Sequence, residues 1–344
     1  MTTEPTPAVV TDPEPTVSRP LSTAQTSTLA AAVLDEVARA VVGKRDALTL
    51  VLAAVLAGGH VLLEDYPGLG KTLAARSFAQ TLGLGFTRAQ FTPDLLPGDL
   101  TGSFVYDQRT SEFAFRPGPV FTGLLLADEI NRTPPKTQSA LLEAMQERQV
   151  TVEGRTFTLP QPFHVLATAN PVEYEGTYPL PEAQLDRFLL RVSFGYPTGR
   201  EELDVLRSRM ARRREEVELA PVTDAAGLLG MQAAVEAVDV DDSVAAYCVA
   251  LAAASRTHPQ VLMGASPRGS LALLLTARAL AVVRGRDFVT PEDVKEVAPA
   301  ALAHRLTVRP ELWMGDVTGS TVVRSLLSTV STPTAADPSP AHRP

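Results

Sequence analysis

The sequence predicts an α/β domain over residues 26–198, a parallel sheet flanked by helices, followed by an all-helical domain over 199–316. Three observations carry this reading. Short apolar segments, "HVLLE", "FTRAQF", "LLLADE", "FHVLATAN" and "LLRV", alternate with helical patterns, the mark of a parallel sheet covered on both faces. Strand signals stop after "FGYP", and helical periodicity takes over from there. Finally, "HVLLEDYPGLGKTLAARSFAQTLG", His60 to Gly83, runs from an apolar strand through a glycine-bearing loop straight into a helix.

Taken in order, residues 1 to about 25 are rich in Pro, Thr, Ser and Ala, bury too little to repay ordering, and read as a disordered tail. Residues 29–57 hold two helical patterns, "LAAAVLDEVARAVV" and "RDALTLVLAAVLA", the second closed by Gly58-Gly59. After the loop come the helix "KTLAARSFAQTL" and, following "LLLADE", the helix "PPKTQSALLEAMQER". Two stretches, "DLTGSFVYDQRTSEFAFRPG" and "QVTVEGRTFTLPQ", alternate about central turn residues and predict β-hairpins inserted between sheet elements. The helical part predicts segments at about 199–213, 224–237, 243–256 and 267–284. A last helix is opened by the cap and proline of Thr290-Pro291-Glu292-Asp293. Residues 317–344 read as a C-terminal tail, disordered at its end.

Composition narrows the function. With 45% hydrophobic residues the 344-residue chain can build real cores, and its formal charge of -8 argues against a nucleic-acid binder relying on bulk positive charge. A single cysteine, Cys248, excludes a disulfide framework within the chain, and the five histidines are scattered without the spacing of a zinc site. The N-terminus lacks the charged and apolar regions of a signal peptide, so a cytoplasmic protein is expected. The most apolar run, "LTLVLAAVLAGGHVLL", is interrupted by Gly58, Gly59 and His60 before reaching the roughly 20 residues of a membrane span.

The chemistry begins in the loop. A strand running into Pro67-Gly68-Leu69-Gly70-Lys71-Thr72-Leu73 and then a helix makes backbone N–H groups converge on an anion. Lys71 is expected to reach the β- and γ-phosphates of ATP, and the Thr72 hydroxyl to ligate Mg²⁺. The first glycine of the G-x-x-x-x-G-K-[ST] pattern is replaced by Asp65, which at the strand exit can point away from the phosphates. Asp128 and Glu129 end an apolar strand, hence stand at the carboxyl edge of the sheet, where open α/β sheets bind ligands. Asp128 suits a Mg²⁺ ligand beside Thr72, and Glu129 suits the group that polarises the attacking water. Asn170, after "FHVLATA", suits a contact to that water or to the γ-phosphate, with a turn residue before proline as the plain alternative. Arg187, in "PLPEAQLDRFLL", can stabilise charge on transferring phosphate, although spacing alone favours a surface pair with Asp186.

The order "EDYPGLGKT", "LLLADEINR", "ATANPVEYEGTYPLPEAQLDRF", "GYP" and "SPR" resembles the MoxR family of AAA+ ATPases across roughly residues 28–315. The resemblance implies an AAA+ P-loop domain with a helical lid, acting on ATP with Mg²⁺. It places Lys71 and Thr72 in the Walker A motif, Asp128 and Glu129 in Walker B, Asn170 at sensor 1, Arg187 as the arginine finger and Arg268 at sensor 2. Val42 and Gly43 are placed near the adenine, and Asp65 is compatible with the family. It also implies hexameric rings and a partner containing a von Willebrand factor A domain. Two rivals stand beside this chaperone reading: a nucleotide-gated scaffold with little turnover, and a helicase-like motor on DNA. Against the second, the one dense basic run, "LRSRMARRREE", is followed at once by Glu215, Glu216 and Glu218, the pattern of a solvated helix face.

Overall fold

The computed structural model describes residues 20–171, 176–214, 217–313 and 315–333. Helix α1, Thr23–Ala38, starts inside the stretch expected to be disordered, because Ser22 and Gln25 form a reciprocal capping box. Its buried Ala30, Val33, Leu34 and Val37 repeat at helical spacing, which offsets the ordering cost that the composition seemed unable to repay. The rest of the expected N-terminal tail, 1–19, lies outside the described residues.

Helix α2, Arg45–Leu56, leads into β1, Val61–Glu64, and then α3, Lys71–Thr81, and β2, Phe86–Gln90. A short α4, Pro97–Thr101, precedes the first hairpin, β3, Gly102–Asp107, and β4, Glu112–Pro117. Next come β5, Leu124–Asp128, α5, Pro135–Glu147, and the second hairpin, β6, Gln149–Val152, and β7, Arg155–Thr158. The core closes with β8, His164–Ala169, α6, Glu182–Leu185, and β9, Leu190–Val192.

The five longer-range strands form one parallel sheet in the order β2-β5-β8-β1-β9. Along β5, Leu124 and Leu126 face one apolar cluster and Leu125 and Ala127 the other, so the strand is buried on both sides. That is why its sequence is continuously apolar rather than alternating. One cluster lies under α1, α2 and α3; the other lies under α5 and the hairpins. The hairpins meet through Phe115 and Phe157, whose rings stack at 3.9 Å.

Beyond the core follow α7, Gly199–Arg212, α8, Ala225–Glu236, and α9, Asp242–Thr257. Strand β10, Val261–Met263, precedes α10, Pro267–Val283, and α11, Pro291–Leu302; then come β11, Thr307–Val308, and α12, Gly319–Thr329. Helices α8 and α10 pack on α1 and α2, and the cluster under α1 continues without a break through α8 to α12. Helix α7 differs, since none of its residues is buried.

Two further expectations need correction. The helical part also contains a β-ribbon, in which Val261 pairs with Val308 and Met263 with Thr307. Segments of two and three residues carry no readable period, and their pairing is non-local. The stretch expected as a C-terminal tail from 317 opens with α12, capped by Thr318 and Thr321, which buries Val322, Val323 and Leu326 against α9 and α11. Residues 334–344, the expected disordered end, lie outside the described residues.

Candidate active site

Strand β1 delivers the chain to the loop, and Gly68 and Gly70 take φ of 80° and 84°, a left-handed backbone that favours glycine. Gly70 is also the N-cap of α3, so the helix starts at Lys71 with its backbone donors facing the loop. Parallel register brings the strand ends level: Leu63 lies beside Thr168, and Gln90 beside Asp128. As a result Lys71, Thr72, Asp128, Glu129 and Asn170 all line one cleft of about 360 Å³, together with Pro67, Gly68, Leu69, Gly70 and Leu73.

The Lys71 ammonium donates to the backbone carbonyls of Asp65 and Tyr66. Burial pulls its pKa below the usual lysine range, opposed by the negative charges of Asp65, Asp128, Glu129 and Glu64. Asp128 is held from two sides. Thr168 donates its hydroxyl to Oδ1 at 2.6 Å, and Arg88 donates Nε and Nη2 to Oδ2 at 2.9 and 2.6 Å. Glu129 sits at φ 59°, with its N–H bound to the Thr168 hydroxyl at 2.8 Å. Its Oε2 accepts from Gln90 at 2.7 Å and from Arg132 at 3.3 Å. Asn170 is buried, and its backbone carbonyl accepts from Asn131 Nδ2 at 3.3 Å.

Arg88, Gln90 and Thr168 escape a reading of the sequence. Arg88 and Gln90 share one face of β2 by the two-residue period, a signal that becomes useful only once β2 is known to lie beside β5.

Asp65 turns away from the loop cleft. It is buried, and its Oδ2 accepts from Phe194 N at 2.7 Å, Gly195 N at 2.8 Å and Ser193 Oγ at 3.0 Å, while Oδ1 accepts from Tyr66 N at 3.0 Å. Gly43, at φ 75°, lines a second cleft of about 610 Å³ with Lys44, Glu64, Arg191 and Phe194 on one side and Pro299 and Ala300 of α11 on the other. A Cβ at Gly43 would lie 2.3 Å from the Glu201 side chain. Val42, which precedes it, is half-buried.

Arg187 and Arg268 are placed elsewhere. Both line a third cleft, of about 340 Å³, and neither lines the loop cleft. The expected Asp186–Arg187 surface pair does not form, because Asp186 is engaged by residues distant in sequence. It pairs with buried Arg305 at 2.8 Å and with Arg268 at 3.8 Å, and accepts from Ser266 at 3.0 Å. Arg187 Nε is buried with no hydrogen-bond partner among the described residues.

Comparison with known proteins agrees with this fold. Residues 60–190 match the model of the ATPase family associated with various cellular activities, and residues 253–326 match an AAA lid domain. The chain is 50% identical to YeaC of Bacillus subtilis over 87% of this chain and 93% of that protein. It is 44% identical to the chaperone MoxR1 of Mycobacterium tuberculosis over 90% of this chain and 84% of that protein. A solved structure from Cytophaga hutchinsonii, provisionally described as an ATPase, superposes with a TM-score of 0.84 at 39% identity, covering 91% of this chain and 97% of that one.

Proposed function

The chain belongs to the MoxR family of AAA+ ATPases, and from that premise we propose that it hydrolyses ATP to ADP and phosphate, with Mg²⁺, as one subunit of a hexameric ring in the cytoplasm. The ring remodels or matures a partner protein carrying a von Willebrand factor A domain. The observation that carries the ATPase reading is the convergence of Lys71, Thr72, Asp128, Glu129 and Asn170 on one cleft at the carboxyl edge of the sheet.

The residues present fit the substrate and the metal. Loop amides and the α3 N-terminus supply donors to phosphate, and Lys71 turns its ammonium from the carbonyls of Asp65 and Tyr66 to the β- and γ-phosphates. Thr72 and Asp128 offer the hard oxygen donors that suit Mg²⁺, which when bound neutralises charge on the phosphate oxygens. The Glu129 carboxylate accepts a hydrogen bond from the attacking water and increases its nucleophilicity, and the Asn170 amide holds that water or the γ-phosphate. Gly43, preceded by Val42, borders the cleft that takes the adenine. Arg187 and Arg268 act in trans, on the nucleotide of a neighbouring subunit. Their shared cleft apart from the loop, and an Arg187 Nε with no hydrogen-bond partner among the described residues, support this reading.

A DNA-directed motor is disfavoured by the net charge of -8 and by the pairing of arginines in the basic run, Arg207 with Asp204 and Arg214 with Glu218. Among the described residues, no helix is long and apolar enough to cross a membrane.

Two variants test the site. Lys71→Ala should lose tight ATP binding by calorimetry, and an unchanged affinity would remove the loop from the mechanism. Glu129→Gln should keep ATP and Mg²⁺ bound while slowing turnover about 10²-fold or more. Near-normal turnover would remove Glu129, and a wild-type protein that binds ATP but turns over negligibly with its partner present would leave the nucleotide-gated scaffold.

A further inference from the structure

The segment between β9 and α7, Ser193–Thr198, is gripped from two sides, by Asp65 at the head of the phosphate loop and by Lys44 on the second cleft. Asp65 holds its beginning through two backbone N–H groups and one hydroxyl. Lys44, beside Gly43, holds its end by donating to the Tyr196 carbonyl at 3.0 Å, and approaches Glu201 of α7 at 4.0 Å. Tyr66 lies against Tyr196 with ring centroids 5.5 Å apart. Glu201 in turn closes the Thr198 capping box that starts α7.

Among the described residues, α7 packs only lightly on the rest of the fold. None of its residues is buried, and Leu203, Leu206 and Met210 are exposed along it. Its position is therefore inherited largely from the connector. The same peptide units that carry Asp65 and Tyr66 present the carbonyls that bind the Lys71 ammonium. Engagement of Lys71 by phosphate withdraws that charged donor, so the peptide planes at 65 and 66 are freed to reorient, and the side chain of Asp65 hangs from one of them.

We infer that Asp65 is a positioning residue that couples the state of the phosphate loop to the connector Ser193–Thr198 and so to the placement of α7. This explains why an acid stands where the general loop pattern has glycine. A glycine at that position would leave the N–H groups of Phe194 and Gly195 without their acceptor, and the loop would turn without moving its neighbour. The coupling rests on the reading of the loop as an ATP site.

Hydrogen exchange of the full chain, with and without ATP and Mg²⁺, tests it on wild type, Asp65→Ala and Asp65→Asn. In wild type, ATP should change exchange in the loop, residues 66–73, and also in residues 193–212. In Asp65→Ala the loop response should persist, with ATP affinity within about tenfold of wild type, while the response of 193–212 is lost. Asp65→Asn keeps the shape and one acceptor oxygen, and should show a partial response. A merely structural role predicts a lower melting temperature with the ATP response of 193–212 intact, and that result would overturn the coupling. Failure of both variants to fold would make Asp65 a structural post and overturn it as well. No loop response in wild type would sink the ATP-site reading and the coupling with it, whereas a loop response with a wild-type connector response in Asp65→Ala sinks the coupling alone.

Discussion

Thr168 and Asp128 share a buried hydrogen bond of 2.6 Å, and the same Thr168 hydroxyl accepts the N–H of Glu129 at 2.8 Å. One side chain on β8 thereby sets both acids at the end of β5. Such a group contributes by placement, since a small displacement of reacting groups can cost up to about 10²-fold in rate.

Thr168→Val should therefore lower kcat about 10- to 100-fold and reduce stability by about 1–3 kcal/mol, because it removes the donor to Oδ1 of Asp128, whose Oδ2 stays with Arg88, and the acceptor of the Glu129 N–H. Thr168→Ser, which keeps the hydroxyl, should restore most of the rate. Steady-state kinetics with a melting curve on each variant separates the two effects. Equal loss in the serine variant would show that packing of the threonine methyl, rather than its hydroxyl, matters.

The separation of Arg187 from the loop cleft makes a prediction about assembly. Lys71→Ala and Arg187→Ala should each be inactive alone, one for want of nucleotide and the other for want of a finger. In a mixed ring an Arg187→Ala subunit keeps a sound loop, and a Lys71→Ala neighbour can reach it with an intact arginine. ATPase activity after subunit exchange should exceed the sum of the parents and peak at intermediate ratios. If cross-linking proves that mixed rings form and activity does not recover, Arg187 does not act across an interface.

Stability should fall on mild acidification. Burial first, then repulsion from His164, lowers the pKa of His60 from 6.5 to about 3, and burial lowers that of His164 to about 4. Both rings are committed to neutral partners, His60 to the Met145 carbonyl and the Val165 N–H, His164 to the Gly59 carbonyl and Gln232. Because the folded values lie below the unfolded one, the unfolded chain binds more protons. The stabilisation is complete above pH 6.5 and is lost progressively as pH falls toward the folded values, by about 1.4 kcal/mol per pH unit for each histidine. Calorimetry between about pH 7.5 and about pH 5 checks this. A flat melting temperature across that range would mean that both rings protonate without penalty.

Helix α12 should be integral to the fold. Leu326 is 2% exposed, and Leu326→Ala should cost about 2–5 kcal/mol. Ser328→Ala, on the exposed side of the same helix, should stay within about 0.5 kcal/mol of wild type. Denaturant titration of the pair decides it, and indistinguishable midpoints would detach α12 from the core.

By itself the sequence determined the strands of the main sheet and most of the helices, the strand, loop and helix around Lys71, and the placement of Asp128, Glu129 and Asn170 at strand ends. These are local quantities: a two-residue or 3.6-residue period, a glycine in a left-handed turn, a polar residue closing an apolar run. Only the tertiary structure decided who meets whom. The sheet order β2-β5-β8-β1-β9 does not follow the chain, so it alone places Arg88 and Thr168 on Asp128, each 40 residues away. It was likewise the fold that gave Asp186 to Arg305, 119 residues on, and left Arg187 in a different cleft from the loop. Asp65 shows the division most plainly. Its departure from the loop pattern is visible in the sequence, but its partners at Phe194 and Gly195 lie 129 and 130 residues away on the connector that follows the neighbouring strand β9. A side chain's direction is encoded locally, whereas the identity of what it reaches depends on non-local packing that no period in the sequence records.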